Sequence, residues 1–201
     1  MKTKFLFLSA VTALLISCGD KPKEVKEPKS VYINATSNNM WHYYSLQNGK
    51  LVDSAIESAE NNAIWGARKD WDIAIQRYNI RTNSGAFTTV GAKGGVYTFD
   101  ENTTFTSVNK VPADASFVVD AAITSAGHGG TTTVIRSEAV VILFKKNADG
   151  SLIMPPVYLP APVYIFRSAD GNKYHKVLFT QYINDNGASG HVMFDVAEVE
   201  K

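Results

Sequence analysis

One cysteine, four histidines and a formal charge of +1 are the scarcities of this 201-residue chain, and each closes off a class of function. A single thiol cannot build a disulfide framework, nor a multi-thiolate zinc or iron–sulfur site. Four histidines leave room for only a small metal site. Twenty Lys and Arg against nineteen Asp and Glu provide no concentrated basic face to displace counterions from phosphates, so nucleic acid is not the expected partner. The length suits one domain with one well-buried core. With 45% hydrophobic and 19% charged residues, disorder by composition is excluded.

What is present begins with an address. Lys2 and Lys4 precede an apolar run, Phe5 to Ile16, too short to span a bilayer but suited to a signal-peptide core. It ends in Leu15-Ile16-Ser17-Cys18, which resembles a bacterial lipobox. Residues 1–17 are then a removed signal, and Cys18, the only thiol, carries the lipid. Residues 18–30 form the tether: Gly19 to Lys29 mixes acidic and basic side chains with Pro22 and Pro28, and such a stretch has too little apolar surface to order itself. The domain, 31–201, is expected outside the cytoplasm, touching a membrane through its lipid anchor only.

Most of that domain reads as short strands between turns. Trp71 to Ile80 alternates as a strand covered on both faces, with Trp71, Ile73 and Ile75 on one side and Ala74, Tyr78 and Ile80 on the other, ending at Thr82-Asn83-Ser84-Gly85. Phe87–Val90 and Val96–Phe99 are shorter candidates. Val134–Phe144 reads as one strand stopped by Asn147-Ala148-Asp149-Gly150. Val163–Arg167, Tyr174–Tyr182 and His191–Val199 follow, with polar turns between them, as an antiparallel meander. One helix is expected over about Ser54–Ile64, with Asp53 as N-cap. The fold class is all-β with minor helices.

Catalytic motifs find no support. Gly91-Ala92-Lys93-Gly94-Gly95 lacks the closing Lys-Ser/Thr and the helix of a phosphate loop, and reads as a turn. Asp70 and Asp72 share a strand face, and a solvated edge is their expected fate rather than a glycosidase pair. No His-Glu-x-x-His helix and no Gly-x-Ser-x-Gly elbow occurs, so no enzyme is expected. His42, His175 and His191 fall on strand patterns and read as packed or surface residues, and Met40 and Met193 as core. His128 stands apart in Ala126-Gly127-His128-Gly129-Gly130, a glycine-rich loop with nothing to pack against. Met154 stands apart in Met154-Pro155-Pro156, where prolines stiffen an extended segment.

The run from Trp71 to Gly85, Trp-Asp-Ile-Ala through Arg-Thr-Asn-Ser-Gly, is similar to the hallmark segment of the HmuY family, haem-binding lipoproteins of anaerobic Gram-negative bacteria. Trp41-His42-Tyr43-Tyr44-Ser45-Leu46 with Gly49, the Gly94-Gly95 pair, and Val163–Arg167 leading to Lys173-Tyr174-His175-Lys176 agree with it. The resemblance covers essentially the whole domain. It implies an all-β fold with two projecting loops that grip haem, each giving one axial ligand: two histidines in some members, two methionines in others.

No motif fixes the ligands. His128 and Met154, the side chains stranded in loops, are the candidates for a mixed pair, with either one paired to another residue as the alternative. Imidazole nitrogen and thioether sulfur both bind haem iron, one on each face. Val157, Tyr158 and Leu159 could wall the pocket, while tyrosine, lysine or asparagine could meet the propionates. The resemblance further implies haem taken from host or neighbouring haemoproteins and passed to a TonB-dependent receptor of the outer membrane. A rival reading is a surface adhesin or glycan-binding lipoprotein using exposed Trp41 or Trp65. A haem scaffold diverged to another porphyrin is a second rival.

Overall fold

The computed structural model describes residues 27–127 and 130–201. Strands dominate, all paired antiparallel. The larger sheet has the order β1 (Lys29–Asn34), β13 (Ser189–Val199), β12 (Tyr174–Ile183), β11 (Tyr164–Arg167) and β6 (Gly95–Thr98). A four-stranded sheet runs β3 (Lys50–Ile56), β2 (Met40–Ser45), β4 (Ile73–Gln76) and β5 (Asn79–Thr82). Two small two-stranded sheets complete the set: β7 (Ala121–Gly127) with β8 (Gly130–Arg136), and β9 (Ile142–Phe144) with β10 (Tyr158–Pro160). One helix, α1 (Ala59–Gly66), and a 3-10 turn at Phe105–Ser107 are the other regular elements among the described residues.

Alternation along the strands fills the space between the two large sheets. Tyr44, Ile73, Ile75 and Ile80 of the smaller meet Ile33, Tyr164, Phe166, Val177, Phe179, Val192 and Phe194 of the larger there. The outer faces are buried too. On the four-stranded sheet, Trp41, Tyr43, Trp71 and Ala74 pack with Trp65 of α1 and Phe87. On the larger sheet, Ile165, Tyr174 and Val199 pack with Val108, Val163 and the ring of Phe105. That double covering is why β4 is buried at all four positions, but the faces differ from those expected: Trp71 packs with Ala74 in the outer cluster, and Ile80 joins Ile73 and Ile75 in the inner one. The all-β antiparallel reading holds, and the C-terminal meander appears as β11–β12–β13.

Several local expectations do not hold. The stretch 71–80 is a hairpin rather than one strand: the chain turns at Arg77, which sits at φ 54°. Its guanidinium bonds the carbonyls of Thr36 and Ser189 and the Ser189 hydroxyl, and these anchors hold a backbone that glycine would adopt freely. The helix begins later than Ser54. Ser54, Ala55 and Ile56 extend β3 against β2, and the N-cap is Ser58, whose hydroxyl accepts from Asn61 N at 3.1 Å. Val134–Phe144 is split between β8 and β9, because Ser137 N leaves to bond Ile80 O and Val141 N to bond Tyr78 O. Phe87–Val90 is turn, not strand. Strand β1 already includes Lys29 and Ser30, the end of the expected tether.

Asp72 is likewise not on a solvated edge. It is buried and takes Leu46 N at 2.7 Å on one oxygen and Ala169 N at 2.9 Å on the other. It therefore ties the β2–β3 turn to the β11–β12 turn, across the two sheets. Charge-assisted bonds of this kind are roughly twice as strong as neutral ones.

The segment Arg81–Gly85 is equally committed to the scaffold. The Asn83 side-chain amide donates to the carbonyls of Arg68 and Trp71. Thr82 donates N–H and hydroxyl to the Asp120 carboxyl, and the Ser84 hydroxyl accepts from Asp120 N. Gly85 has φ 52°, and a Cβ there would come within 2.3 Å of Asp120 O, so only glycine fits. Asp120 lies one residue before β7, so this network sets the root of the β7–β8 hairpin.

Burial pushes the Asp120 carboxyl up to about 7, against the pull of its bonds from Thr82 and of nearby Arg81. An acid whose pKa is raised by folding holds its proton longer in the folded state. Its stabilising contribution is complete below about pH 4 and falls away as pH rises to about 7. We expect Asp120→Asn to flatten this dependence. Thermal melts at pH 5 and pH 8 should differ less in the variant than in the parent protein; an equal or larger difference would show that Asp120 does not titrate in this range.

Candidate functional site

No position of the two small sheets whose burial is described is fully buried. Hairpin β7–β8 pairs in register from Ala121↔Arg136 to Gly127↔Gly130, and is exposed at Ala121, Ala122, Thr124, Ser125 and Gly130–Thr133. At its root Arg81 Nε donates to Ile135 O at 2.9 Å. Sheet β9–β10 is reached from β8 through Ser137–Val141, which lies along β5 through the Asn79↔Val140 bridge. The neighbourhood of the β4–β5 turn thus carries both small sheets.

Met154 lies in the connection from β9 to β10, beyond a turn closed by Gly150 N on Asn147 O and Asn147 N on Ser151 O. The Asn147–Gly150 turn expected from the sequence is therefore present. The Met154 side chain is 66% exposed, with Pro155 and Pro156 exposed beside it. An exposed thioether is unusual for a residue that ordinarily fills core gaps. It does not stand alone: Leu143, Leu152, Val157 and Leu159, all from the same small sheet and its loop, are each at least 40% exposed. The small sheet and its loop therefore carry five exposed apolar side chains.

Of the three expected wall residues, Val157 and Leu159 are on this exposed face. Tyr158 points the other way and is half-buried against the main core. Its ring meets Phe144 at 5.3 Å and Tyr182 at 5.6 Å, and Phe144 meets Tyr78 edge-on at 4.9 Å. This aromatic ladder fixes the small sheet to the β4–β5 turn and to β12. It gives Tyr158 a supporting place behind the face. Leu143 is not singled out from the sequence, because alternation over the three residues of β9 is too short to interpret.

His128 and Cys18 lie outside the described residues. The other histidines have structural surroundings. His42 shares Nδ1 with the Ser54 hydroxyl at 2.7 Å, and burial lowers its pKa. His175 is buried on β12. His191 Nδ1 meets the Tyr32 hydroxyl at 2.7 Å. Among the described residues, no group of three or more His, Cys, Asp and Glu side chains is placed to hold a metal ion, and no helix is long and apolar enough to cross a membrane. The adhesin reading loses its residues: Trp41 is fully buried and Trp65 nearly so, so neither offers a ring to a glycan.

His42, His175, His191, Trp41 and Trp65 are thus all held in structural surroundings. Comparison with known proteins bears on which scaffold this is. A Tannerella forsythia protein, the apo form of an HmuY analogue, matches at 26% identity over 89% of this chain and all of that one, with a TM-score of 0.53. A Bacteroides vulgatus protein named as HmuY-like and heme-binding matches at 21% identity over 87% of this chain and 95% of that one, TM-score 0.57. A Bacteroides fragilis protein named as a lipoprotein matches at 23% identity over 85% and 88%, TM-score 0.58. No curated protein sequence matches the chain. The sequence profile of the HmuY protein family matches residues 37–196, from β2 to within three residues of the end of β13, and the chain belongs to that family.

Proposed function

We propose that this protein captures haem outside the cytoplasm and hands it on without chemical change. The observation that carries the reading is the family match across 37–196. The exposed apolar face around Met154 supports it, because a porphyrin is a large apolar plate needing hydrophobic walls and an axial donor. The thioether of Met154 and the imidazole of His128, which falls between β7 and β8 in the sequence, would hold the haem iron. Leu143, Val157 and Leu159 supply wall contacts.

Thioether sulfur is soft and favours ferrous iron, so this pair gives a reduction potential above that of two imidazoles. Reduced haem should therefore bind more tightly than oxidised haem. Residues 1–17 act as the export signal, Cys18 as the lipid attachment point and the charged stretch after it as the leash. These place the domain at the outer membrane, with host or neighbouring haemoproteins as source and a TonB-dependent receptor as recipient. Ligands held on loops of a rigid sandwich suit both capture and release.

The test is titration of residues 19–201, which keep β1 whole, with haem under oxidising and reducing conditions. A saturable Soret band, with the lower Kd under reductant, is expected. A protein that remains colourless in both states refutes the function. Equal binding of iron-free porphyrin would instead favour a ligand held without axial coordination.

A further inference from the structure

One side of the sandwich is open. Strand β1 ends the five-stranded sheet and β3 ends the four-stranded one. Between these two edges runs a cleft of about 530 Å³, within the range of small-molecule sites. It is lined by β1, by His42 and Tyr44 of β2 and by Leu51 and Ser54 of β3. His42 faces inward because its cross-strand partners are Ser54 and Ile75, and Ile75 lies in the core between the sheets. The cleft shares no residue with the apolar face around Met154.

The chemistry changes along the cleft. At one end the Ser54 hydroxyl meets His42 Nδ1 at 2.7 Å, while Nε2 is buried and has no hydrogen-bond partner. Burial lowers the pKa of the ring, which is therefore neutral near neutral pH with a proton on one nitrogen. With the serine hydroxyl donating to Nδ1, that proton is on Nε2, a buried donor that costs free energy until an acceptor meets it. Three residues further along β2, about 10 Å at strand spacing, the Ser45↔Lys50 rung marks the other end. Lys50 and Lys29 line the cleft there, and a Cβ on Gly49 would lie 3.6 Å from Lys29 Nζ. Among the described residues no carboxylate lines the cleft, and neither lysine has one within ion-pair distance. Asp70, which feels Lys50, is paired with Arg68. Asp195 takes the Ser30 hydroxyl on the opposite face of β1 from Val31. Val31, Tyr44 and Leu51 supply apolar surface between the two ends.

We propose that this cleft binds a linear molecule with an apolar middle, a carboxylate at the lysine end and an oxygen acceptor for His42 Nε2 at the other. Two cations with no acid among them select the anionic end. The imidazole selects against a chain ending in a methyl group, which leaves Nε2 unpaired. A medium-chain dicarboxylate is the simplest molecule of this form.

Calorimetric titration of residues 19–201 with suberate and with octanoate, eight-carbon acids that differ in the second carboxylate, tests this. Suberate should bind saturably at one site, about 10-fold more tightly than octanoate, the worth of one hydrogen bond to a charged group. His42→Phe, which keeps an aromatic ring without its nitrogens, should abolish that preference by weakening suberate alone. Lys29→Gln combined with Lys50→Gln, both at exposed positions, should weaken both acids several-fold. Absence of saturable suberate binding overturns the site, and full retention of both affinities by the double lysine variant overturns its anionic end. Equal affinity for the two acids, or equal weakening of both by His42→Phe, gives the imidazole a merely structural role and overturns its part in binding. Should His42→Phe not fold, nitrogen NMR of the parent protein decides. A His42 Nε2 signal that moves with suberate and not with octanoate supports the contact, and a signal that stays in place overturns it.

Discussion

Arg81→Ala should remove about 3–5 kcal/mol of folding stability, the range for breaking a buried, hydrogen-bonded ionic group. The guanidinium is fully buried and lies 4.0 Å from the ring centroids of both Trp41 and Phe87. Nε reaches Ile135 O at 2.9 Å, while the terminal nitrogens reach Asn62 and Glu57 at 3.1 Å. Truncation opens a cavity between two aromatic rings and strips donors from a half-buried carbonyl and a half-buried amide at once. Glu57, 30% exposed at its side chain and still receiving Trp41 Nε1 and Asn62 Nδ2, is the least affected partner. Arg81→Lys should recover only part, because one ammonium cannot serve donors in three directions. For a domain of this size the melting temperature should fall by roughly 10 °C. A loss below about 1 kcal/mol in urea unfolding would mean that the network is not coupled to folding.

Met154→Ala should do the opposite: little to stability, much to ligand binding. A side chain that is 66% exposed contributes little to the core, and surface substitutions usually stay within about 0.5 kcal/mol. On the proposed ligation, by contrast, losing the thioether should weaken ferrous haem binding by more than about 10-fold, given that loss of outer-shell support alone costs 10- to 100-fold at metal sites. The reduced absorption spectrum should lose its six-coordinate low-spin character. Met154→Leu separates the two roles of this residue. Leucine keeps the apolar contact but has no sulfur, so a spectrum like that of Met154→Ala assigns ligation to the thioether. Recovery of affinity and spectrum by leucine would reduce Met154 to a wall residue. His128→Ala provides the companion measurement for the other face of the iron.

The parts of this fold legible in the sequence are those whose turns carry their own chemistry. The meander β11–β13 is punctuated by Ser168–Gly171 and Asn184–Gly187, with glycines at φ 81° and 78°, and its strand limits follow. The hairpin at Arg77 carries no such mark. There a non-glycine residue is held in a left-handed turn by bonds to residues 41 and 112 positions away, which no local window contains. The helix start is displaced for a related reason: Asp53 has the character of a cap, but Ser54–Ile56 are claimed by pairing with β2. In the site, an isolated methionine among prolines is visible from sequence, because its surroundings are sequential. The Tyr78–Phe144 contact is not, because sixty-six positions separate residues that only the fold brings together. The most recognisable stretch, Trp71–Gly85, proves to be scaffold: Asp72, Arg81, Thr82, Asn83 and Gly85 all hold the sheets and hairpin root in place.

The chain has three tryptophans, and Trp41, Trp65 and Trp71 all lie in the one cluster on the outer face of the four-stranded sheet. Trp65 stacks on Tyr43 with ring centroids 3.8 Å apart, and Trp71 meets the same tyrosine edge-on at 4.9 Å. The indole emission of this protein is therefore a local gauge, blue-shifted by exclusion of water and reporting on α1 and β2–β4. Events confined to the five-stranded side are optically silent to it and call for a label of their own.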